Sequence, residues 1–569
     1  MIKGVGASEG IAIGKPFIMR SSIKEIRKAT ISSPDNEVER MRNAVEEARK
    51  QIEDLYHYTL KEIGEEEAKI FDAHKAILDD PEVFGVAENE ILNQSVSAEW
   101  AIKEVTDKFI SIFENMDSSY MKERASDLQD VTNRVLSILQ GVENTSLARI
   151  TEPVIVFARD ITPSDTAQMK KDKVLAFVTE VGGRTSHSAI MARTLEIPAV
   201  VGAKGVLSKI KEGDSVIVDG KKGAILVNPG TDVIEEYKKI QGKIKSEKKA
   251  LRELVGKETV TEDGLKIELA CNIGTPDDLE GVIENDGEGI GLYRTEFLYM
   301  DRDTMPTEEE QYNAYKKVLE TLSPKPVVIR TLDIGGDKDT CCFEMRKELN
   351  PFLGYRAIRI SLDQVEVFKI QLRAILRASI YGNAKIMFPM VSSLEELREA
   401  KEIIQEVQQE LKHDGKSFSF EIEVGIMIEI PAAAIISDTF AKEVDFFSIG
   451  TNDLIQYTTA VDRGNADICH LYSPYHPALL RLIKMTIDNG HKEGIWIGVC
   501  GEAAGDPTFI PILIGMGIDE LSMSATSILK SRQIIRKSNK KKLEGLVAQV
   551  LEMGTAEEVE KKILSTLQD

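Results

Sequence analysis

The sequence predicts a multidomain α/β protein that ends in a (β/α)₈ TIM barrel, and three observations carry that prediction. The chain has 569 residues, too many for one ordinary core, so two to four units are expected. Residues 256–569 contain eight short apolar runs separated by helix-period stretches, the count and alternation such a barrel needs. Ahead of them a charged helical zone and a group of β-branched runs have compositions of their own, each fitting a separate unit.

Taken in order, residues 1–20 carry a short Gly-rich strand pattern. Residues 35–144 then run as long, charged, helix-period segments almost free of Gly and Pro, which predicts a helical bundle. From Pro153 the runs VIVFA, VLAFVTE, AVVG, SVIVDG and AILVN, broken by Gly, Asp and Asn, predict a compact β-rich or α/β domain. Residues 231–255 are charged, with no strong apolar face, and read as a connecting helix. The barrel strands are expected at IELACNI, GIGLYRTEF, PVVIRTLD, AKIMFPMV, VGIMIEI, DFFSIGTND, IWIGVC and ELSMS.

Composition narrows the function. With 42% hydrophobic and 29% charged residues the chain reads as soluble and folded throughout. A net charge of −22 opposes binding along a nucleic-acid backbone, so any anionic substrate needs a local basic cluster. The first residues are apolar but interrupted by glycines and too short to span a bilayer, so neither export nor membrane insertion is expected. Five cysteines without a CxxC fit a reducing cytoplasm, and the adjacent Cys341 and Cys342 read as two small buried residues.

Reactive residues of such barrels gather at the C-terminal strand ends, so the polar residues closing each run are informative. They are Arg294, Arg330, Glu429, Asn452, Asp453 and Cys500, with Arg463 in the loop after the sixth strand. Arginine supplies a planar, permanently charged fork for carboxylate and phosphate oxygens, and Glu429 and Asp453 supply hard oxygens of the kind Mg²⁺ prefers. For any single arginine a salt bridge to a neighbouring carboxylate is the simpler explanation, but it weakens when several converge on one mouth. Asp333, Asp337 and Lys338 in TLDIGGDK fit the same mouth and surface salt bridging about equally well.

A second constellation is GGRTSHSAIMARTLEIPAVVG, residues 182–202. His187 follows Thr185 and Ser186, both good helix caps, and a phosphoryl group on its ring would lie near a helix N-terminus, where free N–H groups and the dipole favour anions. Arg184 and Arg193 add charge. A neutral imidazole nitrogen is nucleophilic near neutral pH, which suits a carrier. His57, His413 and His491 read as solvated, and His470 and His476 as loop packing. His74 reads as either partner-facing or solvent-facing.

These residues resemble the enzyme I family of the bacterial sugar phosphotransferase system, the phosphoenolpyruvate-protein phosphotransferases. The resemblance covers essentially the whole chain and rests on GGRTSHSAIMAR, GLYRTEFLYM, RTLDIGGDK, NPFLGYRAIR, MIEIPAA, SIGTNDLIQYT and GVCGE. It implies that His187 is phosphorylated, that Glu429 and Asp453 bind Mg²⁺, and that Arg294, Arg330, Asn452, Asp453 and Arg463 hold phosphoenolpyruvate. Cys500 is similar to the family's acid that protonates the enolate to pyruvate.

The resemblance also implies a homodimer formed by the barrels. It divides the chain into a discontinuous, swivelling phosphohistidine domain (1–20 with 145–230), an inserted helical domain that docks the phosphocarrier protein HPr (21–144), a linker helix (231–255) and a phosphoenolpyruvate-binding barrel (256–569). His187 would then travel between barrel and partner by a rigid-body swing. One departure, Glu9 where the family's ASPGIA segment has proline, touches local loop geometry only. Phosphoenolpyruvate synthase and pyruvate phosphate dikinase would need a nucleotide-binding domain with a Gly-rich phosphate loop, and the helical zone has none. A nitrogen-branch paralogue would carry a further N-terminal sensory domain. A non-enzymatic scaffold would be expected to lose the histidine or the metal carboxylates.

Overall fold

The chain packs as two compact units, residues 1–248 and 249–569. The computed structural model describes all residues except 20–22, 63–64, 115–118, 143–146, 148–149, 163–164, 166–168, 170, 184–185, 196, 301, 303, 336–347, 464, 466 and 569; the side chains of 61–62, 65–67, 69, 114, 119–123, 171, 187, 190, 194 and 568 are likewise outside the description. Arg184, Thr185, Asp337, Lys338, Cys341 and Cys342 therefore lie outside the described residues.

In the first unit one eight-stranded sheet draws on distant parts of the sequence. Strands β1 (Ile2–Lys3), β2 (Val5–Ser8) and β3 (Ile11–Ile18) join β4 (Val154–Ala158), β5 (Val174–Thr179), β6 (Ala199–Val201), β7 (Val216–Asp219) and β8 (Ala224–Val227). The order is β1-β8-β7-β3-β4-β5-β6-β2. β3 is the seam, parallel to β4 with Lys15 opposite Val154 and antiparallel to β7 with Ile11 opposite Asp219. The β-branched runs form strands because both faces of the sheet are covered. Ile155 and Phe157 belong to one apolar cluster, Val156 and Ala158 to the other, as the two-residue period requires.

Between β3 and β4 the chain forms helices α1 (Pro34–Glu62), α2 (Glu65–Asp79), α3 (Val86–Gln94), α4 (Ala98–Glu114) and α5 (Ser119–Gln140). Ala44, Ala48, Ile52 and Leu55 give α1 a buried stripe at helical spacing, which meets Phe71 and Leu78 of α2, Ile102 of α4 and Val131 of α5. His74 corrects the sequence reading. It is 1% exposed, because it stands three residues after Phe71 and four before Leu78 on the buried face of α2, and its Nε2 lies 3.5 Å from Asp127 Oδ1. Helix α6 (His187–Thr194) lies between β5 and β6, and the connector α7 (Thr231–Arg252) follows β8 with Tyr237 its one buried side chain.

The second unit is a closed barrel of eight parallel strands: β9 (Glu268–Ile273), β10 (Gly289–Arg294), β11 (Pro326–Arg330), β12 (Asn383–Phe388), β13 (Glu423–Ile428), β14 (Phe446–Ile449), β15 (Trp496–Val499) and β16 (Glu520–Met523). Six of them fall within one of the eight apolar runs, and β12 and β13 begin one residue ahead of theirs, at Asn383 and Glu423. Alternation sends Leu292, Val328, Met387, Met427 and Phe446 into the barrel's interior, while Val327, Ile329, Ile386 and Ile426 pack outward with the helices. No described helix is long and apolar enough to cross a membrane.

The same alternation sets charged groups at the barrel's N-terminal pole. Glu268, Glu423, Trp496 and Glu520 each open a strand, on the interior side of neighbours that pack outward, and Lys385 lies two residues before Met387 on that side. Glu520 stands opposite Glu268 in register. Lys385 Nζ donates to Glu423 Oε2 at 2.6 Å and lies 4.7 Å above the Trp496 ring, which stacks on Phe446.

Candidate active site

At the opposite pole the strands deliver their closing residues to one cavity of about 330 Å³. Arg294 ends β10, Arg330 ends β11, Glu429 follows β13 and Cys500 follows β15. Helix α8 (Thr451–Thr459) starts two residues after β14, so Asn452 and Asp453 lie in its first turn. These six residues and Arg463 all line the cavity, together with Glu296, Phe297, Met300, Met427 and Glu502.

Behind and within the wall, charges alternate. Arg330, 5% exposed, donates from Nη2 to Glu296 Oε1 at 2.5 Å, and its Nη1 lies 3.1 Å from Asp333 Oδ2. Arg356, 1% exposed, donates from Nη2 to Asp333 Oδ1 at 3.1 Å and from Nη1 to the Tyr457 hydroxyl at 3.1 Å; the same Nη1 is 3.6 Å from Asp453 Oδ1. Burial alone would depress both guanidinium groups, but Asp333 and its neighbours among Glu296, Asp453 and Glu429 raise them, so both stay charged. Asp333 is thus a buried ion-pair partner inside the fold.

Glu429 is fully buried. Its Oε1 accepts the Met390 N–H at 2.6 Å, from a backbone held in the left-handed region (φ 57°), a strained conformation at the edge of the site. Its Oε2 has no hydrogen-bond partner among the described residues. Burial, with Asp453 and Asp333 beside it, pushes this carboxyl up to about 8 against the opposing pull of Arg330 and Arg356. A buried carboxylate oxygen without a donor, beside a second carboxylate, fits a hard cation, which would supply the missing charge and ligand contact. Among the described residues no group of three or more His, Cys, Asp or Glu is placed to hold a metal ion by itself.

The remaining residues have clear placements. Asn452 Oδ1 accepts the Glu502 N–H at 3.0 Å, which ties the start of α8 to the turn after β15. The Cys500 thiol is 3% exposed, and burial pushes it up to about 11 even though Arg330 opposes the shift, so it is protonated at neutral pH. Sequence reasoning missed Glu296 and Arg356. Both sit inside the motifs YRTEF and GYR, but nothing in the one-dimensional pattern shows that they meet Arg330 and Asp333 across the mouth.

His187 lies in the first unit and opens α6. Ser186 takes the extended N-cap conformation, yet its hydroxyl donates to Gly183 O at 2.8 Å and caps no helix N–H, so capping here is a property of the backbone alone. Gly182 makes the turn possible with φ at +98°, where an added Cβ would lie 2.8 Å from Ser186 Oγ. Arg193 is in the last turn of α6 and donates to Ala7 O at 3.3 Å, so it adds charge at the end of the helix away from His187. His476 Nδ1 accepts the Ala478 N–H at 3.2 Å and caps α9 (Pro477–Glu493), a structural role.

Family models describing PEP-utilising enzymes match three stretches of the chain: the N-terminal region over residues 3–124, the mobile domain over 150–223 and the PEP-binding domain over 248–540. The phosphoenolpyruvate-protein phosphotransferase of Bacillus subtilis (strain 168) is 52% identical over 558 residues, 98% of this chain and 98% of that one. That of Priestia megaterium is 51% identical over 565 residues, 99% of each chain. That of Geobacillus stearothermophilus is 52% identical over 558 residues, 98% of this chain and 96% of the relative. The chain belongs to the phosphoenolpyruvate-protein phosphotransferase family of PEP-utilising enzymes.

Proposed function

We propose that the chain is a cytoplasmic phosphotransferase that moves the phosphoryl group of phosphoenolpyruvate to a ring nitrogen of His187 and then to a histidine of HPr, the first step of sugar uptake by the phosphotransferase system. The observation that carries the reading is the convergence of Arg294, Arg330, Asn452, Asp453 and Arg463 with Glu429 and Cys500 around one cavity. The names of the relatives support the donor and the reaction class.

In this reading the guanidinium groups of Arg294, Arg330 and Arg463 hold the phosphate and carboxylate of phosphoenolpyruvate, and Asn452 orients it. Glu429 and Asp453 hold Mg²⁺, which neutralises charge on the transferring group when bound. The bond from phosphorus to the enol oxygen breaks as a bond from phosphorus to the His187 nitrogen forms. The enolate left behind takes a proton at carbon from the Cys500 thiol, which burial keeps protonated, and leaves as pyruvate. Residues 1–20 with 145–230 carry the acceptor, 21–144 dock HPr, 231–255 act as the hinge, and 256–569 bind substrate and pair two copies.

The test is a His187→Ala chain incubated with labelled phosphoenolpyruvate and Mg²⁺. Acid-labile labelling is expected to vanish while calorimetry still detects phosphoenolpyruvate binding. Retained labelling would remove His187 as the acceptor, and lost binding would put the substrate site outside the barrel mouth.

A further inference from the structure

We propose that Asp333 is a positioning residue for this reaction: its buried carboxylate sets the places of Arg330, which faces the substrate, and of Arg356, which stands against the metal-binding Asp453. The proposal rests on the functional reading above. It starts from a division of labour within one carboxylate. Oδ2 lies 3.1 Å from Arg330 Nη1, and Oδ1 accepts from Arg356 Nη2 at 3.1 Å. Each oxygen thus serves a different guanidinium group, at 1% exposure and three residues beyond the end of β11.

The two arginines differ in what they reach. Arg330 lines the cavity, whereas Arg356 does not; Arg356 instead stands 3.6 Å from Asp453 Oδ1, which does. Glu296, Arg330, Asp333, Arg356 and Asp453 form a row of alternating charge, with Asp333 at its centre. In so buried a row each charge is held by its neighbours, because water cannot screen the pair or substitute for it. Without the central charge, Arg330 has Glu296 as its remaining ion-pair partner in the row and Arg356 has Asp453. Arg330 then turns from the substrate toward Glu296, and Arg356 closes on the carboxylate that should be ligating Mg²⁺. One substitution should therefore weaken two ligands.

The experiment uses the full chain carrying His187→Ala, so that binding is read without turnover. Phosphoenolpyruvate is titrated by calorimetry at fixed Mg²⁺, and Mg²⁺ at fixed phosphoenolpyruvate. Asp333→Asn, which keeps the shape and loses the charge, is expected to raise the Kd for phosphoenolpyruvate at least about tenfold and to raise the Mg²⁺ requirement by a similar factor. Adding Arg356→Gln removes the unmatched guanidinium group, and is expected to return the Mg²⁺ requirement to near the parent's while phosphoenolpyruvate stays weak. A merely structural role would not produce that selective recovery. If Asp333→Asn does not fold by circular dichroism, Asp333→Glu, which keeps the charge and moves it by one methylene, should still weaken phosphoenolpyruvate several-fold in a folded chain. Affinities within about twofold of the parent in a folded variant, or no recovery with Arg356→Gln, would overturn the proposal. A parent that itself binds no phosphoenolpyruvate would instead overturn the functional reading.

Discussion

The two poles of the barrel both bury a glutamate and use it differently. At the C-terminal mouth, burial pushes Glu429 up to about 8; at the N-terminal pole, burial pushes Glu520 up to about 8 as well, with Glu268 adding to it and Lys385 opposing. Each has an oxygen without a hydrogen-bond partner among the described residues. Around Glu429 there are two buried arginines and an open cavity. Around Glu520 there are Glu268 opposite in register and one ammonium group already paired with Glu423, and Glu520 is not part of the mouth cavity's wall. A buried carboxylate beside a cavity is available to a ligand. One enclosed by side chains is most simply relieved by a proton. Desolvation alone therefore does not mark a functional acid, and access to a cavity separates the two cases.

The sharpest way to break this comparison is Glu429→Gln. It is expected to lower pyruvate release by a factor on the order of a thousand, since the proposed metal site loses an ionisable ligand, while stability in urea near neutral pH is retained because the amide stays neutral like the protonated carboxyl it replaces. Turnover close to that of the parent would make the two poles equivalent. Next in size is the pH dependence that Glu520 confers. A glutamate in the unfolded chain titrates near 4.5, whereas Glu520 in the fold is raised to about 8. Between those values the folded state holds a proton that the unfolded state has released, so stability falls as pH rises through this window, by about 5 kcal/mol in all, and the decline ends near pH 8. Glu520→Gln should lose that slope in urea unfolding measured from pH 5 to pH 8.5. An unchanged slope would mean that Glu520 is ionised in the fold.

The smallest expected effect comes from the room left for Glu520. A Cβ added at Gly291 would lie 2.3 Å from Glu520 Oε1. Gly291→Ala should therefore cost about 1–3 kcal/mol by overpacking, and clearly less when combined with Glu520→Ala. Equal costs in the two backgrounds would show that the glycine serves Ser522, whose side chain also lies close to that position, or the backbone instead of the carboxylate.

The eight barrel strands were legible because each is a short apolar run, the main sequence signature of a strand buried on both faces. His74 was not legible. Its charged neighbours in sequence point to solvent, but its place relative to Phe71 and Leu78 puts it on the buried stripe of α2. Ser186 was half legible: residue type predicted the N-cap position, while the bond its hydroxyl makes depended on where the turn at Gly182 brought the Gly183 carbonyl.

By itself the sequence determined the fold class, the sites where strands end and the residue types at the mouth, because periodicity and composition are local properties of the chain. Only the tertiary structure decided that Glu296, Arg330, Asp333, Arg356 and Asp453 form one row, that Glu429 Oε2 is left without a donor, and that Glu520 faces Glu268 across the opposite pole. Those relations join residues from different strands and loops, and closure of the barrel sets their distances.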